Sequence, residues 1–128
     1  MLAESEEQKA VVQWLRAKRI FHYATVNENN TYKQDRRYAL IAEGKAKAVG
    51  KLKGVSDLTV FLDDKILFIE MKRAPKKLKS GKESVSHTST SKEQVKFLEK
   101  INSFPYAKGK VCFGAKQAIE FIKEEMAG

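Results

Sequence analysis

Asp57, Glu70 and Lys72 stand inside the two most apolar runs of this chain, GVSDLTVFL and KILFIEMK. Charged groups are costly to bury unless something compensates them. If the runs are strands joined by a two-residue turn at Asp63 and Asp64, Leu62 faces Lys65 and Asp57 lies opposite Glu70. If the turn is Asp64 and Lys65 instead, Asp57 faces Lys72. Either register puts all three charged residues on one face, because side chains alternate along a strand. A three-residue loop without a bulge would change the parity. Two facing carboxylates repel each other and lose solvation. Lys72 offsets one negative charge, and a divalent cation would offset the rest. Oxygen ligands of this kind suit Mg²⁺ or Mn²⁺.

The plain alternative is an edge strand carrying a solvated Glu-x-Lys pair, common on exposed strands. That arrangement predicts alternating polar residues, whereas here Phe61, Ile66 and Phe68 share the charged face. Leu58, Val60, Leu62, Leu67, Ile69 and Met71 occupy the opposite one. Apolar residues on both faces place the hairpin inside a sheet with a layer on each side.

The elements that must position this hairpin follow from periodicity. AESEEQKAVVQWLRAKR reads as a helix, with Ala10, Val11, Trp14, Leu15 and Lys18 at helical spacing, acids at its start and bases at its end. IFHYATVN reads as a strand that stops in the polar run Asn27 to Asn30. DRRYALIAEGKAKAVG favours helix, weakened at Gly44 and stopped at Gly50. TSKEQVKFLEKIN is a helix with Val95, Phe97, Leu98 and Ile101 on its apolar side, GKVCFG a short strand, and AKQAIEFIKEEM a closing helix. The order α-β-α-β-β-α-β-α gives an α/β fold, a central mixed β-sheet flanked by helices. Residues 1–128 read as a single domain, with residues 76–90 a basic, flexible loop containing Gly81.

Composition narrows the partners. The chain has 128 residues, 42% of them apolar, enough for a core. Lys and Arg number 25 against 16 Asp and Glu, a net charge of +9 that suits a polyanion, nucleic acid before an anionic membrane surface. One cysteine, Cys112, excludes an internal disulfide and suits a reducing cytosol. The acidic start MLAESEEQKA does not read as a secretory leader, and no apolar run approaches the roughly 20 residues of a membrane span. A cytoplasmic protein without membrane contact is expected, host cytoplasm if the gene is a phage's.

An aspartate followed by a strand bearing Glu-x-Lys resembles the signature of the PD-(D/E)XK nucleases, here Ser56-Asp57 and Glu70-Met71-Lys72, with Ser56 in place of the usual proline. The wider pattern resembles the virus-type replication-repair nuclease (VRR-NUC) branch. ESEEQKAVVQWL is similar to its first helix through Glu4 and Gln8, VGKLKGVSDL to its glycine turn through Gly50, Gly54 and Asp57, and SKEQVKFLEKI to its Ser-x-x-Gln helix through Ser91 and Gln94. The resemblance covers nearly the whole chain in order. It implies a restriction-endonuclease-like core and a metal-dependent, structure-specific DNA endonuclease. Small stand-alone members look like Holliday-junction resolvases acting as homodimers on four-way junctions.

On that resemblance, Asp57 and Glu70 hold the metal with the Met71 carbonyl. Glu4 supports it through water or helps hold a second ion, Lys72 orients a water or neutralises the phosphate, and Gln94 positions the nucleophile. Glu7 takes the place of Glu4 if the helix register differs. Gln8, Arg73, Lys76, Lys77, Lys79 and Lys82 are the expected DNA contacts, the lysines tracking phosphates next to the cut. Each has a plainer role available. Glu4 suits a helix N-terminus, Gln8 a polar surface, and Ser91 with Gln94 a capping box. The lysines suit a solvated loop. Asn27 and Glu28 fit a polar turn, His22 a packed strand position and Cys112 the core, while His87 has no evident partner. The competing function is a catalytically inactive nucleic-acid-binding module of the same fold.

Overall fold

The computed structural model describes residues 3–26, 36–77, 83–84 and 90–128. Its elements in chain order are α1 (Glu4–Ala17), β1 (His22–Ala24), α2 (Arg36–Ala48), β2 (Leu58–Phe61), β3 (Ile66–Lys72), β4 (Lys76–Lys77), β5 (Glu83–Ser84), α3 (Lys92–Asn102), β6 (Ala107–Phe113) and α4 (Ala115–Ala127). The fold is α/β. A four-stranded sheet runs β1-β2-β3-β6, antiparallel except for the parallel β3–β6 pair, and β4 and β5 form a separate two-stranded ribbon.

The central hairpin closes on two residues. Leu62 N–H donates to the Lys65 carbonyl at 2.9 Å, and Phe61 pairs with Ile66, Val60 with Leu67, Thr59 with Phe68 and Leu58 with Ile69. This is the Asp63–Asp64 turn, the first of the two registers, and it sends Leu58, Val60, Leu67, Ile69 and Met71 to one face. There they are buried with Val11 and Leu15 of α1 and Ala118, Phe121 and Ile122 of α4. At about 25 cal/mol per Å² of apolar surface removed from water, this cluster is the main source of stability. The other face carries α3, whose Phe97 meets Phe68 edge-on with ring centroids 5.8 Å apart.

Two expectations change. The residues 76–90 expected as loop include β4 and β5, in which Lys76 pairs with Ser84 and Lys77 with Glu83. Paired lysines and a Glu-Ser step give no apolar alternation, and it is the backbone ladder that makes this ribbon. The last strand also begins earlier than GKVCFG, at Ala107, because the parallel ladder to β3 starts at Ile66. Gly44 does not interrupt α2, which ends at Ala48 and is stopped by Gly50 (φ +90°) as expected. Gly50 N–H donates to the Lys47 carbonyl and Lys51 N–H to that of Ala46, a Schellman closure.

Candidate active site

The site is built where β2 begins and β3 ends. Thr25 N–H donates to the Asp57 carbonyl at 2.8 Å, holding the backbone just ahead of β2 against the chain leaving β1. The Asp57 side chain reaches across to β3, where Oδ2 accepts the Met71 N–H at 2.7 Å. That bond ties the carboxylate to the strand carrying Glu70 and Lys72. Glu70 is 4% exposed and Lys72 9%. The Lys72 ammonium stands 3.5 Å from Glu70 Oε2, and Gln94 Nε2 donates to the same oxygen at 2.9 Å. The second oxygen, Oε1, is buried and has no hydrogen-bond partner among the described residues.

This setting makes Glu70 hard to ionise. Burial, and then the charge of Asp57, raise its pKa from 4.5 to about 7, against the opposing pull of Lys72. A buried acid with an orphan oxygen next to a second carboxylate fits a small divalent cation. Among the described residues no three His, Cys, Asp or Glu side chains converge. Two carboxylates are nonetheless enough for Mg²⁺, which keeps several waters and takes further oxygens from a phosphate substrate.

Gln94 is placed by its helix cap. Ser91 N–H donates to Gln94 Oε1 at 3.0 Å and Gln94 N–H to Ser91 Oγ at 3.1 Å, a full capping box. Because Oε1 is taken, the amide can only offer Nε2 to Glu70. One side chain thus closes the cap with Oε1 and touches Glu70 with Nε2. Gly54 brings the two elements together. At φ +83°, a Cβ there would lie 2.4 Å from the Glu93 carbonyl and 2.7 Å from Gln94 N, so only glycine lets the Asp57 turn sit on the start of α3.

Among the first-helix acids, Glu4 is exposed and Glu7 is buried at 7% exposure. Glu7, Val11 and Leu15 form the inward stripe of α1, and Glu4 falls outside it. That stripe was readable, since Glu7 lies one and two helical turns ahead of the two core residues. Glu7 Oε1 accepts the Ala115 N–H at 3.1 Å, satisfying the start of α4. Gln8 is half-buried and Arg73 is exposed directly after Lys72. The backbones of Lys76 and Lys77 lie in β4. Lys79, Lys82, His87, Asn27 and Glu28 lie outside the described residues.

Comparison with protein-family models, curated proteins and solved structures gives no match for this chain. The site's reading therefore rests on its own geometry.

The remaining candidates are structural. His22 Nδ1 lies 2.8 Å from the Ile20 carbonyl. Burial pushes the Cys112 thiol up to about 12, which keeps it protonated and unreactive. Ser56, where the resembling family has proline, is 1% exposed with an unpartnered Oγ. No helix among the described residues is long and apolar enough to cross a membrane.

Proposed function

We propose that this chain is a metal-dependent DNA endonuclease with a PD-(D/E)XK-type core of the VRR-NUC kind, hydrolysing phosphodiester bonds in branched DNA. The observation that carries this reading is a half-buried Asp57 beside a buried Glu70, with Lys72 3.5 Å from Glu70 Oε2 and Glu70 Oε1 without a partner among the described residues. A binding module has no use for two carboxylates and an ammonium held this close at a solvation cost. The net charge of +9 fits a polyanionic substrate.

Asp57 and Glu70 would hold the cation, with the Met71 carbonyl as the proposed third oxygen. A bound Mg²⁺ or Mn²⁺ supplies Lewis acidity at the scissile phosphate and activates water. The protein's own groups do the rest. Met71 N–H fixes the Asp57 carboxylate before substrate arrives, and Gln94 Nε2 fixes Glu70 Oε2, so neither acid must reorganise. Lys72 keeps a positive charge beside the carboxylates, where it can orient a water or meet the charge that grows on the phosphate. Arg73, Lys76, Lys77, Lys79 and Lys82, with Gln8, are the proposed DNA contacts. Resolution of a four-way junction takes two symmetric cuts and so a twofold dimer, which the mass in solution would report.

The test incubates the pure protein with four-way junctions, flaps, single strands and duplex in Mg²⁺, Mn²⁺ or EDTA. Metal-dependent cleavage abolished by Asp57→Ala and by Lys72→Ala, with DNA binding retained, supports the reading. Binding without cleavage in any metal makes the chain an inactive nucleic-acid-binding module. Undiminished cleavage by Lys72→Ala overturns the roles assigned here.

A further inference from the structure

The sheet face that carries the carboxylates is only partly covered. Over β3 and β6 it is closed by α3, through Phe97 on Phe68 and Leu98 over Gly109. Over β1 and β2 two aromatic rings, Phe21 and Tyr23, face solvent beside a half-buried Phe61. Phe61 N–H donates to the Phe21 carbonyl at 2.9 Å, so these two stand side by side, their ring centroids 5.2 Å apart. Tyr23 pairs with Thr59, and its ring lies 6.1 Å from that of Phe61. Phe21 is 70% exposed and Tyr23 51%.

The pairing fixes where these rings lie relative to the site. Successive rows across this face run Phe21–Phe61–Ile66, then Tyr23–Thr59–Phe68, then Thr25–Asp57–Glu70. At about 3.3 Å per residue, the Tyr23 row is about 7 Å and the Phe21 row about 13 Å along the strands from the Asp57–Glu70 row. The first of these distances is close to one nucleotide of an extended strand, the second to two. The segments entering and leaving the carboxylate centre add exposed Lys51 and Arg73.

We propose that Phe21, Tyr23 and Phe61 form a stacking shelf for one or two unpaired nucleobases flanking the phosphate held at Asp57 and Glu70. This rests on the nuclease reading above and narrows its substrate class to DNA with unpaired bases beside the cut, such as a single strand, a flap or an opened junction. Exposed rings offer every base a π-face, which gives affinity without sequence preference. A base inside a duplex is already stacked on both sides and gains nothing from the shelf.

Binding is measured in EDTA, so that cleavage plays no part, with oligothymidylate, a flapped duplex and a blunt duplex of equal length. The double variant Phe21→Ala/Tyr23→Ala is expected to weaken single-strand and flap binding by about tenfold or more, with duplex binding unchanged. Phe21→Leu/Tyr23→Leu keeps apolar bulk and guards against a folding defect, and should show the same selective loss. A 5-iodouracil base in the oligonucleotide should photocrosslink to the peptide spanning residues 20–26. Equal losses on single strand and duplex, or no loss with a correctly folded Leu pair, overturn the shelf. So does a variant that turns a dimer into a monomer with DNA binding intact, which would assign the rings to a second copy. Selective loss in a protein that cleaves nothing sinks the nuclease reading and leaves the shelf. Cleavage without selective loss does the reverse.

Discussion

Gln94 Nε2 donates to Glu70 Oε2 at 2.9 Å while the other end of the same amide closes the cap of α3 on Ser91. Helix start and acid are thus mechanically one unit. Ser91→Ala is expected to cost about 1 kcal/mol in urea unfolding and also to reduce cleavage, although Ser91 Oγ bonds only within the cap. Gln94→Ala should reduce both further. A double-mutant cycle read by cleavage should show strong non-additivity; additive effects would mean that the cap does not orient the amide.

The raised pKa of Glu70 makes stability depend on pH. The folded protein holds this proton up to about 7 and the unfolded chain only to about 4.5. The contribution is thus fully present below pH 4.5 and is lost as pH rises through 7, a fall of about 3 kcal/mol at most. Glu70→Gln should flatten unfolding free energy across that window. Mg²⁺ should stabilise the wild type most above pH 7, where it need displace no proton. A flat wild-type profile in EDTA would contradict the burial of this acid.

Gly54 should tolerate no side chain. Gly54→Ala combines a positive φ with a contact on the Glu93 carbonyl and is expected to cost more than about 2 kcal/mol. Thermal unfolding reads the loss, and cleavage should fall as the Asp57 turn lifts from α3. Gly44→Ala, which meets nothing within 4 Å, serves as the stabilising or neutral control.

The two first-helix acids should part company. Glu7→Ala strips Ala115 N–H of its partner and is expected to destabilise by about 1–3 kcal/mol, with Glu7→Gln milder because it keeps an acceptor. Glu4→Gln should change stability by less than about 0.5 kcal/mol, so cleavage reads any role of Glu4 at the metal apart from folding. Loss of cleavage with stability intact supports the role at the metal expected of Glu4, and undiminished cleavage removes it.

Much of this arrangement was legible along the chain, for physical reasons. Strand periodicity fixed that Asp57, Glu70 and Lys72 share a face, because alternation holds in either register. The apolar runs called for layers on both sides, and helical spacing marked Val11, Leu15 and Leu98 as inward. What the sequence determined by itself was local: period, punctuation and the parity of a tight turn. The tertiary structure decided what depends on elements meeting. It chose the Asp63–Asp64 register, turned Glu7 inward to serve α4, paired β4 with β5, and set Gln94 against Glu70 across the Gly54 contact. It also left Phe21 and Tyr23 uncovered beside the carboxylates. Those outcomes depend on distances between residues remote in sequence, which no local pattern encodes.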